Sequence, residues 1–108
     1  MAQDYIVMND QNVNGMIAIN KAVFQAITEI SIQDIENAEP IPASPFSKPI
    51  QIKIIDNKLH IIADVKVTYG ANVNATCELV QNKIYENITY MTGYKPNEVT
   101  VNVAGFSI

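Results

Sequence analysis

From Lys58 to Tyr69 the chain alternates, with Ile62 the one apolar residue on the polar side. Leu59, Ile61, Ala63, Val65, Val67 and Tyr69 fall on one side, and Lys58, His60, Ile62, Asp64, Lys66 and Thr68 on the other. A period of two held that long describes an extended strand with one face on a core and one toward water. Such a strand requires a sheet around it. Just upstream, Ile50, Ile52 and Ile54 alternate with Gln51, Lys53 and Ile55, and Asp56-Asn57 lies between the two runs. Two alternating runs joined by a short Asp/Asn turn predict an antiparallel hairpin.

Helical periodicity takes over on either side. Asn20 is a good N-cap, because its side-chain oxygen can accept from the free amides of a first turn. Ile19 before it and Phe24 after it fit a hydrophobic staple. Val23, Phe24, Ile27 and Ile30 then predict a first helix over about residues 21–34. Beyond Gly70, Asn72 or Asn74 can cap a second helix whose apolar stripe is Val73, Cys77, Val80, Ile84, Ile88 and Met91. Gly93, with Pro96 after it, supplies the left-handed residue that ends it.

Two further strands follow from alternation. In residues 13–19, Val13, Gly15, Ile17 and Ile19 oppose Asn14, Met16 and Ala18. In residues 98–104, Val99, Val101 and Val103 oppose Glu98, Thr100 and Asn102. Residues 1–12, with a short apolar patch at Tyr5–Met8, read as a loose lead-in or a poorly paired strand. Residues 37–49 contain Pro40, Pro42, Pro45 and Pro49, which remove amide donors and predict an extended surface loop. Residues 13–108 thus form one domain of βαββαβ order. Each strand has one apolar and one mostly polar face, so both helices belong on the same side of the sheet. The expected class is α+β: a two-layer sandwich with a mostly antiparallel four-stranded sheet, in the split order of ferredoxin-like folds.

At 108 residues and 48% hydrophobic, the chain can bury one core and is not of disordered composition. Its net charge is −4, and all seven basic residues are lysines. That composition argues against nucleic acid, which needs a clustered cationic footprint and usually arginine forks, and against an electrostatic hold on anionic lipid. The start lacks a signal-peptide pattern and no run is long enough to insert into a membrane, so an intracellular protein is expected. A single cysteine forms no intrachain disulfide.

Residues able to do chemistry are sparse. His60 is the sole histidine. Asp64, four residues along the same strand face, lies ~13 Å away, too far to orient it as a base. It reads as a surface histidine. Cys77 falls in an apolar stripe and reads as a buried structural thiol. Asp34, Glu36 and Glu39 lack the spacing of a calcium loop and read as a solvated acidic turn. Asn74-Ala75-Thr76 and Asn87-Ile88-Thr89 match the glycosylation triplet but lie in a predicted helix. The four glycines are scattered, so no phosphate-cradling loop can be built. No catalytic, metal or cofactor-binding set emerges. The open sheet face offers no aromatic platform for single-stranded RNA. It does offer Met16, Ile55 and Ile62 beside polar residues such as Asn102. If adjacent, these would form a small interaction face, and the sheet edges could accept a further strand.

Several motifs taken in order carry a resemblance. Gly15-Met16-Ile17-Ala18-Ile19-Asn20 is followed by Val23-Phe24, and Val65-Lys66-Val67-Thr68-Tyr69-Gly70 by Val80-Gln81-Asn82-Lys83-Ile84. Met91-Thr92-Gly93 and Val99-Thr100-Val101-Asn102-Val103-Ala104-Gly105 complete the series. Over about residues 13–108 this resembles the alkaline shock protein family of Gram-positive bacteria. The chain departs from it at residues 35–49, where the family has a Gly-Val turn and a glycine before the next strand. Gly15, Tyr69, Gly70, Gln81, Gly93, Val101 and Val103 are the motif positions. They read as a folding signature, with Tyr69, Val101 and Val103 toward the core and Asn102 outward. The resemblance implies a cytoplasmic, non-enzymatic protein linked to envelope or alkaline stress. It would act by self-association or by docking on a partner, including a membrane-anchored one that would make it membrane-peripheral. The alternative is a small-molecule-binding or regulatory domain modulating a lipid-precursor enzyme. That reading needs a pocket between the first helix and the proline-rich loop.

Overall fold

A computed structural model describes residues 2–8 and 15–108. Its elements are β1 (Ala2–Gln3), β2 (Tyr5–Met8), β3 (Ile17–Asn20), α1 (Lys21–Gln33), β4 (Ala38–Pro40), β5 (Ile50–Ile55), β6 (Lys58–Thr68), α2 (Val73–Thr92) and β7 (Glu98–Ser107).

The long alternating strand β6 is the spine of the sheet. β5 runs antiparallel along its first half, from Ile55↔Lys58 to Ile50↔Ala63. β4 runs antiparallel along its second half, from Pro40↔Val65 to Ala38↔Val67. On its other side β7 runs parallel, from His60↔Glu98 to Thr68↔Ser107, with an irregularity at Val65/Lys66 that leaves Ala104 unpaired. β1 adds a short antiparallel piece outside β5. Asp56 and Asn57 both have positive φ, 51° and 58°, as a two-residue hairpin turn with the right twist requires.

The α+β class holds, with both helices packed on one face. Phe24, Ile27 and Ile32 of α1 and Val80, Ile84 and Ile88 of α2 join one core with Leu59, Ile61, Ala63, Val65 and Val67 of β6. Asn20 caps α1 through its side chain to the Ala22 amide, and Asn72 caps α2 through Ala75. Gly93 ends α2 at φ 76°. The helices are tied by Asn87 Nδ2 donating to Ser31 Oγ at 2.9 Å.

The structure corrects several sequence-based expectations. The strand expected at residues 13–19 is not part of the main sheet. Its described portion, β3, pairs with β2 in a separate two-stranded sheet, while residues 13 and 14 lie outside the described residues. Residues 2–8, read as a loose lead-in or a poorly paired strand, are strand: they form β1 and β2 and place Ile6 in the core. The proline-rich segment is not all loop, because Ala38–Pro40 completes the sheet beside β6. Tyr69 continues the inward parity of β6 but lies past the sheet's end, 74% exposed, with its ring edge-on to Phe106 at 6.2 Å. In α2 the buried stripe is Thr76, Val80, Ile84 and Ile88. Cys77 is half-buried and Met91 is 63% exposed.

Candidate interaction surface

Among the described residues the sheet has helices on one face only, and the even-numbered residues of β6 and their neighbours form the other face. Its side chains make small polar contacts within and across strands. His60 Nδ1 lies 3.6 Å from Glu98 Oε2, an ion pair whenever the imidazole is protonated. Thr100 Oγ1 donates to Glu98 Oε1 at 3.1 Å, and Asn102 Nδ2 donates to Asp64 Oδ1 at 3.1 Å. Glu98 was invisible as a partner of His60 because only the β6–β7 register brings them together.

The expected apolar group on this face does not assemble. Ile62 sits between Gln51 of β5 and Thr100 of β7. Ile55 pairs with Lys58, four residues up the strand from Ile62, or ~13 Å. Met16 belongs to the approach to β3, outside the main sheet, and is exposed. Asn102 is on the outer face, as expected.

The other motif positions act in the scaffold. Gln81 reaches from α2 to β7, where Nε2 donates to the Val99 carbonyl at 2.7 Å. Val101 and Val103 are half-buried against the core. Gly15, Gly70 and Gly93 all have positive φ. Cys77 is half-buried, and that burial pushes its thiol pKa up, so it is a poor nucleophile near neutrality. Among the described residues, no three His, Cys, Asp or Glu side chains gather as metal ligands.

Among the described residues, two clefts border α1. One, about 530 Å³, separates α1 from the proline-rich segment and is lined by Gln25, Glu29, Ile41, Pro42, Lys48 and Ile50 among others. The second, about 430 Å³, is an apolar groove formed by Val23, Ala26, Ile27, Ile30 and Met91. Sequence reasoning placed Val23, Ile30 and Met91 in the core. The signal missed was width: at ~100° per residue the apolar residues at 23, 24, 27, 30 and 32 span about 200° of the helix, more than one packed face covers.

A singly covered sheet with polar outer contacts and a capped helical layer defines a small α+β module that presents surfaces. A family model matches residues 9–108, and the chain belongs to the alkaline shock protein 23 family, whose description is a cell envelope-related function. A comparison with curated proteins finds no match. No helix among the described residues is long and apolar enough to cross a membrane.

Proposed function

We propose that this chain is a non-enzymatic interaction module that serves its envelope-related role by associating with itself or with a protein partner, a membrane-anchored one included. The observation that carries this reading is the one-sided cover of the sheet. A sheet with helices on a single face leaves its other face and its long edges available to a further chain. The cytoplasm is the compartment proposed for it. Light scattering across a concentration series tests the reading. A mass that rises with concentration supports it, and a strict monomer at high concentration with no partner recovered from a membrane fraction contradicts it.

A second reading is favoured by one specific observation. The cleft of about 530 Å³ lies between α1 and the proline-rich segment, where a small-molecule-binding or regulatory role would require a pocket. Its walls are Pro42, Ile41 and Ile50, with Lys48 and Glu29 offering opposite charges to an amphipathic ligand. Such a domain would modulate a lipid-precursor enzyme. A thermal-shift screen of amphipathic anions against the wild type and Lys48→Ala tests it. Stabilisation that depends on Lys48 supports this reading, and no stabilisation by any of them counts against it.

A further inference from the structure

Resting on the self-association just proposed, we infer that its surface is the open edge of β7, and that the occupant is β7 of a second copy, running antiparallel about a two-fold axis through Val101. The backbone directions place that edge. Asp64 donates its N–H to Pro49 and Thr68 donates to Asn37, both on the β4/β5 side of β6. Even-numbered residues of β6 therefore address β4 and β5, and odd-numbered ones address β7. Tyr69, which donates to Ser107, follows the same rule. In the parallel register His60↔Glu98, Ile62↔Thr100 and Asp64↔Asn102, the β7 residues that answer β6 are Glu98, Thr100 and Asn102. The peptide groups of Val99, Val101 and Val103 are left pointing away from the sheet. Gln81 takes one of them, the Val99 carbonyl, and among the described residues no strand pairs with the rest.

Soluble proteins usually blunt such an edge with lysine, proline, a bulge or short length. β7 is ten residues long, with no lysine or proline and a single charge at Glu98. Its bulge comes late, at Ala104, so Glu98–Val103 stays regular. The edge is also complementary to itself. A two-fold axis through Val101 sets Val101 opposite its own copy and Val99 opposite Val103 on the helix side. On the outer side Thr100 faces Asn102, and Glu98 faces Ala104, so no like charges meet. The outward amides and carbonyls of the three valines then bond in pairs. The Val99 carbonyl keeps Gln81, since it has two lone pairs. An axis of this kind stands perpendicular to the sheet. It leaves both helix layers on the same side, where Val101 and Val103, now half-buried, gain cover.

The test is sedimentation equilibrium of the full chain, wild type and two variants, with circular dichroism to verify folding. In Val101→Pro the lost N–H points outward, so no hydrogen bond within the protomer is removed. The double variant Thr100→Lys with Asn102→Lys sets lysines opposite lysines across the seam, on a solvent-facing side where folding tolerates them. Wild type should approach twice the 11.9 kDa chain mass, and both variants should weaken association by at least ~10-fold. A folded double variant that dimerises like wild type overturns this inference while leaving self-association to another surface. A wild type monomeric throughout the series removes the self-association reading and this surface with it.

Discussion

Asn57 pairs with Val7 as one strand residue pairs with another. Its Oδ1 accepts from the Val7 N–H at 2.8 Å, and its Nδ2 donates to the Val7 carbonyl at 3.0 Å. The same residue donates its backbone N–H to Gln3 Oε1 and accepts the Tyr94 hydroxyl on its carbonyl. A turn residue thereby fastens β1, β2 and the segment after α2 to the end of the β5–β6 hairpin, and so holds Ile6 in the core. Asn57→Gly keeps the positive φ but deletes both side-chain bonds, and should lower stability by about 1–3 kcal/mol. Asn57→Ala adds left-handed strain and should fall ~1 kcal/mol further. Urea unfolding checks both, and amide exchange at Val7 should rise in each.

Gln81 joins α2 to β7 through the Val99 carbonyl. Gln81→Ala should cost about 1 kcal/mol. Gln81→Glu has no donor to offer when ionised and places negative charge at a carbonyl, so it should be at least as destabilising near neutral pH. Denaturant midpoints of the two variants, compared at pH 7, decide whether the donor or merely the side-chain bulk is responsible.

The two sides of α1 should respond differently to truncation. Phe24 is fully buried, whereas Ile30 is half-exposed on the apolar groove. Phe24→Ala should cost about 3–5 kcal/mol, and Ile30→Ala below about 1 kcal/mol. Equal losses in thermal or urea unfolding would contradict the packing described for this helix.

Cys77 gives the pH dependence. Burial raises its pKa in the folded state above that of the unfolded chain. The folded state therefore holds the proton more tightly, and its contribution to stability is complete below the unfolded thiol's pKa. It is lost as pH rises through the folded value. Cys77→Ser should flatten the alkaline limb of a stability-versus-pH curve. Alkylation of the wild-type thiol should be slow at neutral pH and accelerate on unfolding.

How much of this was legible in the sequence depended on how local the cause was. The β5–β6 hairpin, the cap at Asn20 and the Gly93 stop are set by residues a few positions apart and lie where they were expected, and the second cap falls on Asn72, one of the two asparagines that could supply it. β4 was hidden because prolines argue against a strand in general. Pro40 is tolerated here at the end of a three-residue strand. Tyr69 and Met91 were read as inward because periodicity marks a direction and not where the covering layer ends. The interaction face was misjudged for a related reason. Alternation placed Ile55 and Ile62 on one side of the sheet, but the register that separates them along it is a tertiary fact. The free edge of β7 depends in turn on a parallel pairing with β6, which no local pattern specifies.

The central claim is that this chain associates with a second copy of itself through the open edge of β7. Residue-resolved amide exchange of the wild-type protein at two widely separated concentrations tests it most directly. The account predicts that the Val101 and Val103 amides, which point away from their own sheet, exchange freely when dilute and become protected when concentrated. The Asp64 and Thr68 amides, bonded within the protomer, should be protected at both. Val101 and Val103 exchanging at the same fast rate at both concentrations would contradict it.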